Sequence, residues 1–213
     1  MIRAAFDTSM STAYFAVEKD GELLLDFSGD AMKGVSELLP EILKKLEEIS
    51  VKPADINEWL IGIGPGSFTG LRVGLAFAKG IAYVSGAKYR GVNSGYLFHP
   101  DEESFTVLHD GRKNEVIINS FKFDGESYEE VEPFIRKIEE LQESELTGQT
   151  FTVMDVELPA KRRTEFSASA FFKVPLPELT ELEEMEKSCE PIYVRPAVFI
   201  DPVVPERNHL RRI

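Results

Sequence analysis

The chain has a single cysteine, Cys189, in 213 residues, so no internal disulfide can form and no thiolate cluster can hold zinc. Its three histidines, at 99, 109 and 209, show no His-x-x-Glu-His spacing, and no Ser–His–Asp set can be read from their positions. No stretch reaches the ~18 uninterrupted apolar residues of a membrane span. Basic residues are short, 24 Lys and Arg against 37 Asp and Glu, for a net charge of −13. That deficit weighs against autonomous nucleic-acid binding, which needs electropositive surface. The opening residues, MIRAAFDTS, read as a strand rather than a secretory signal. With the lone thiol they fit a reducing, cytoplasmic setting.

What is present is ordinary in bulk and uneven in distribution. An apolar fraction of 43% and this length suit one large domain or two small lobes. The acids concentrate in residues 124–145, nine against Arg136 and Lys137, and in residues 178–190, six against Lys187. Runs of this kind read as solvated helix faces. Lys161-Arg162-Arg163 and the tail residues Arg207, Arg211 and Arg212 are too few to reverse the charge argument. They leave open a tail contact to RNA within a larger assembly.

The most informative stretch is LIGIGPGSFTGLRVGLAFAKGIAYVS, residues 60–85. An apolar strand breaks into the loop Gly64-Pro65-Gly66-Ser67-Phe68-Thr69-Gly70 and then a helix, the order in which backbone N–H groups are presented to phosphate. Leu71-Arg72 follows where a Walker A loop would end in Lys-Ser or Lys-Thr. Gly70, Gly74, Ala78 and Ala82 recur every four residues and line one helix face. Interior glycines such as Gly74 and Gly80 cost about 1 kcal/mol each against alanine, a cost that close packing of another backbone can return. Phosphate binding and a close-packed face are both open readings, and packing accounts for more of the pattern.

Strands are expected at residues 2–6, 13–17 and 22–27, with Lys19-Asp20-Gly21 as a hairpin turn. Val35, Leu38, Leu39, Ile42, Leu43, Leu46 and Ile49 form one amphipathic stripe, capped by Ser36 and kinked or trimmed at its start by Pro40. A strand at 58–63, the helix at 70–85 and a strand at 89–92 complete a β-β-β-α-β-α-β unit. Residues 97–104 read as a hinge. A second series follows, with strands at 105–109, 115–121 and 128–132, a helix at 133–145 and a strand at 150–155; residues 160–172 stay unassigned. Residues 1–100 and 101–213 are thus two expected lobes, the second ending in an extended tail.

Two open-sheet halves of this order, with Asp7-Thr8-Ser9 ending the first strand, suggest the superfamily of actin, sugar kinases and Hsp70. With the glycine loop, the chain resembles the TsaB family, also called YeaZ. The resembling residues are Phe6 to Ser9, Ile63 to Gly74, Ala78-Lys79-Gly80, Asp110-Gly111-Arg112-Lys113-Asn114-Glu115-Val116, and Glu190-Pro191-Ile192-Tyr193-Val194-Arg195-Pro196. The resemblance implies a two-lobed actin-like, Hsp70-like ATPase fold (ribonuclease H-like) with a degenerate second lobe. It also implies a role in making threonylcarbamoyladenosine in tRNA.

The family's catalytic relative, TsaD, places two metal-binding histidines four apart after a Gly-Val-Asn sequence. In Gly91-Val92-Asn93-Ser94-Gly95-Tyr96-Leu97-Phe98 those positions are Ser94 and Phe98, which cannot replace imidazoles, and His99 is one residue out of register. The resemblance therefore implies a non-catalytic subunit that binds and activates TsaD, without catalytic or metal-binding residues of its own. Asp7 and Asp110 are the best carboxylate pair for a nucleotide, with turn or capping acids as the plain alternative. Leu39, Leu43, Gly70, Leu71, Gly74, Leu75 and Ala78 are the expected partner face. Homodimerisation is expected when TsaD is absent, with TsaE a further partner and tRNA reached through the complex. No cofactor is expected on the isolated chain, and a nucleotide at the subunit junction stays open. The alternatives are an active ATPase or small-molecule kinase using Asp7 and the glycine loop, and a metallopeptidase, which lacks its ligands.

Overall fold

The computed structural model describes residues 1–30, 35–98 and 103–194. His99, His209, Arg195, Pro196, the basic tail and the Val35 and Ser36 side chains lie outside that description. The first sheet holds β1 (Ile2–Asp7), β2 (Thr12–Lys19), β3 (Glu22–Asp30), β4 (Glu58–Gly62) and β5 (Lys88–Val92), in the order β3-β2-β1-β4-β5. β1 is antiparallel to β2 and parallel to β4. The β2–β3 turn closes on Asp20 and Gly21, both at positive φ (51° and 86°), the twist that a two-residue hairpin demands.

Alternation along these strands sends side chains to two buried faces. Ala4, Phe6, Phe15, Trp59 and Ile61 pack beneath α1 (Val35–Glu48) and α2 (Phe68–Ser85). In α1, Leu38, Ile42 and Leu46 are buried, while Leu43 stays 39% exposed. Pro40 is accommodated inside α1, whose start it does not trim. Helix α2 begins two residues before its expected start, because the Ser67 hydroxyl accepts the Gly70 N–H at 3.3 Å. It ends on Gly86 at φ 71°.

The second sheet repeats the first in topology without repeating its sequence. β6 (Phe105–Arg112), β7 (Glu115–Phe123), β8 (Tyr128–Glu130), β10 (Gln149–Thr152) and β11 (Lys161–Arg162) run in the order β11-β10-β6-β7-β8. β6 is antiparallel to β7 and parallel to β10, as β1 is to β2 and β4. The helix expected at residues 133–145 is absent. β9 (Phe134–Lys137) pairs with the Glu115–Ile118 half of β7, and two 3-10 turns, Ile138–Glu140 and Glu143–Glu145, follow. Phe134, Ile138 and Leu141 pack on Leu108, Val116 and Ile118, so an unpaired strand edge and an apolar patch outweigh helical spacing. The other acidic run does form a helix, α3 (Leu182–Ser188).

The inner faces of the two sheets share one core. Ala5, Tyr14, Leu60 and Val92 meet Phe105, Phe121, Phe151 and Phe171, and Phe105 stacks on Phe121 at 4.4 Å. The unassigned stretch supplies part of this filling, as the 3-10 turn Ala168–Lys173. The last described residues return to the first sheet. The Ser188 hydroxyl accepts the Gly91 N–H at 3.2 Å, and the Ile192 N–H donates to the Ile63 carbonyl at 2.8 Å.

Candidate functional site

Asp7, at the end of β1, is wholly buried. One carboxylate oxygen accepts the Ser9 N–H at 2.9 Å and its hydroxyl at 2.7 Å; the other accepts the Ser94 hydroxyl at 2.5 Å. Burial pushes the Asp7 carboxyl above its usual range, and the Ser94 and Ser9 donors partly offset this. With the residue wholly buried, neither oxygen faces an open site, and Gly62 lies so close to one of them that a Cβ there would strike it.

The glycine loop closes over the same residues. The Ser67 N–H donates to the Ser9 carbonyl at 2.7 Å, and the Thr8 hydroxyl donates to the Gly70 carbonyl at 2.8 Å. A Cβ on Gly70 would strike the Thr8 carbonyl, and one on Gly74 would strike the Thr8 hydroxyl. What Gly70 and Gly74 admit is therefore Thr8 of this chain, its backbone at Gly70 and its side chain at Gly74.

Between the sheets lies a cleft of about 870 Å³. Its walls are the β1–β2 loop, the glycine loop, the start of α2, the β6–β7 hairpin, the segment after β11 and residues 192–194. Asp110 lines it, half-exposed, accepting the Arg112 N–H at 2.8 Å and pairing with the Arg112 guanidinium at 3.0 Å. Asp7 does not line it, so the structure does not place the two acids together on one open surface. Both behave as turn acids, each accepting the N–H two residues ahead. His109 lines the cleft from a buried position, its Nε2 3.4 Å from the Asn119 amide nitrogen, and burial holds its imidazole down at about 4.

The two positions that would carry metal-binding imidazoles fall in the 3-10 turn Ser94–Phe98. The Ser94 hydroxyl accepts the Gly64 N–H at 2.9 Å while donating to Asp7, and Phe98 is fully buried in the inter-sheet core. Among the described residues, no three His, Cys, Asp or Glu side chains are grouped to hold a metal ion.

The expected partner face needs correction. Gly70, Leu71, Gly74, Leu75 and Ala78 are buried within the chain, so they present no surface to a second protein. Leu39 is partly buried on the core and Leu43 is open. What α2 does expose is the stripe two residues out of phase: Arg72, Ala76, Gly80, Tyr83 and Val84, the last two 81% and 88% exposed. Nothing lies within 4 Å of where a Gly80 Cβ would stand. An apolar groove of about 380 Å³ runs beside it, lined by Pro53, Ala54, Phe77, Ile81 and Val84. The signal that could have found this stripe is Gly80, an interior helix glycine outside the register of the other four small residues.

Strand order, strand direction and the cleft at the ends of β1 and β6 define an α/β protein of the actin-like, ribonuclease H-like class. The family model for TsaD, tRNA N6-adenosine threonylcarbamoyltransferase, matches residues 31–177. The chain belongs to this family, and the curated relatives to which it is similar bear the name TsaB. The tRNA threonylcarbamoyladenosine biosynthesis protein TsaB of Bacillus subtilis is 24% identical over 134 residues, 61% of this chain and 58% of that one. Its Escherichia coli namesake is 31% identical over 90 residues, 42% and 39% of the two chains. The matches thus span only about half the length of these relatives. YeaZ from Pseudomonas aeruginosa superposes with a TM-score of 0.63 at 18% identity, covering 81% of this chain and 89% of that one.

Proposed function

We propose that this chain is a non-catalytic subunit for threonylcarbamoyl transfer to tRNA, docking a TsaD-type transferase through the outward faces of α1 and α2. The observation that carries this is Gly80. An interior helix glycine costs about 1 kcal/mol against alanine. Gly74 returns that cost inside the chain, against Thr8, whereas Gly80 has no internal neighbour that needs its small size. It sits among exposed Ala76, Tyr83 and Val84 beside an apolar groove, the surface that a second helix needs for close approach. The same face, Leu43 included, serves a second copy of the chain when the transferase is missing.

The sealed Asp7 and the filled glycine loop support the subunit reading over an ATPase or small-molecule kinase, because the acid is spent on Ser9 and Ser94 and the Gly64 and Ser67 amides on the Ser94 hydroxyl and the Ser9 carbonyl. The test is transfer to tRNA by the TsaD of the same organism, with and without this chain. Transfer rises when the chain is added, and the chain alone gives none. Equal transfer in its absence, or transfer by the chain alone, contradicts the proposal. TsaE is expected to engage the assembled pair, and any nucleotide is expected at the junction of the subunits.

A further inference from the structure

The fold gathers at one place the cations and aromatics that the sequence scatters. Arg112 on the β6–β7 hairpin and Arg163 after β11 both line the cleft, and among the described residues Asp110 is the one acid that lines it. Arg163 donates to the Phe98 carbonyl at 3.0 Å and lies 5.7 Å over Phe166, with no carboxylate partner among the described residues. At the rim, Phe68 and Tyr193 are 46% and 43% exposed, their rings 5.0 Å apart. Arg72 holds them, 3.9 Å over Phe68 and donating to the Tyr193 hydroxyl at 3.1 Å. In a protein of net charge −13, a concavity of this sign stands apart.

We propose that the mouth of the cleft takes an unpaired nucleotide of an RNA strand, its base against Phe68 and Tyr193 and its phosphates on Arg112 and Arg163. Aromatic faces beside guanidinium groups are how unstacked bases are held, and a cleft of this size admits a splayed nucleotide but not a duplex. The RNA class follows from the tRNA role proposed above; the site itself stands on its own geometry.

The test is fluorescence anisotropy of the full chain with an RNA stem-loop that has an unpaired loop, using a blunt duplex and magnesium-ATP as comparators. The stem-loop binds at least about tenfold tighter than the duplex. Arg112→Gln and Arg163→Gln each weaken binding several-fold and reduce the salt slope by about one, while Arg163→Lys keeps the slope. Phe68→Ala and Tyr193→Ala weaken binding about tenfold with the slope unchanged. Equal binding of duplex and stem-loop, no binding at low salt, or folded variants that bind like the parent overturn the proposal. So does magnesium-ATP occupancy that the stem-loop cannot displace, which assigns the cleft to a free nucleotide. Transferase docking, measured on the same proteins, separates the two readings: intact docking without RNA binding sinks only this one.

Discussion

The two sheets share a strand order and differ in what covers them. Over the first, α1 and α2 bury Phe6, Phe15, Trp59 and Ile61 and still present an outward face. Over the second, β9 and two 3-10 turns cover Leu108, Val116 and Ile118, with no long helix among the described residues. The matching strand ends diverge too: Asp7 is sealed behind Ser9 and Ser94, while Asp110 stays on the cleft. One of the two acids is thus spent on Ser9 and Ser94, and the other stays open. Among the described residues the long helices cover the first sheet alone, and α2 there carries Gly80, which has no internal neighbour that needs its small size.

The comparison breaks most readily at Gly74. Gly74→Leu must displace Thr8 and the loop that Thr8 anchors, and it is expected to cost about 3 kcal/mol in chemical denaturation. A loss below about 0.5 kcal/mol means that the stripe is not packed as described.

The second sheet is tested through His109. Its depressed proton affinity leaves the folded protein neutral where the unfolded chain binds a proton. Stability from this group is therefore complete above pH ~6.5 and is lost as pH falls toward about 4, about 2 kcal/mol of it by pH 5. Asp7, raised by burial, acts oppositely, losing stability as pH rises above 3.8, so Asp7→Asn isolates the histidine. His109→Gln should flatten the profile between pH 5 and 6.5, and an unchanged slope contradicts the assignment.

A smaller effect sharpens the hairpin at the cleft. Arg112, Lys113 and Asn114 follow one another at φ 63°, 50° and 63°, in the left-handed region. Lys113→Gly removes part of that strain and should stabilise by about 1 kcal/mol in thermal unfolding. No gain would show that the strain is relieved elsewhere.

The first half was legible because its signals are strong: Leu38, Ile42 and Leu46 at helical spacing, and strands bounded by glycine turns. In the second half, Phe134, Ile135, Ile138 and Leu141 carry helical spacing, yet Phe134 and Ile135 pair with the edge of β7 while Ile138 and Leu141 fall in and after a 3-10 turn. The site was half legible. Sequence pointed to Asp7, Asp110 and the glycine loop, but spacing alone cannot tell whether Gly70 and Gly74 face a partner or the chain's own Thr8. Only the neighbouring loop decides that, and it sits some sixty residues away in sequence.

Sedimentation of the Gly80→Arg variant, alone and mixed with the transferase, addresses the docking face directly. With open space beyond Gly80, the variant should melt no lower than the parent, and about 1 kcal/mol more stably, while failing to pair with the transferase or with itself. A folded variant that still co-sediments with the transferase would place the docking surface elsewhere.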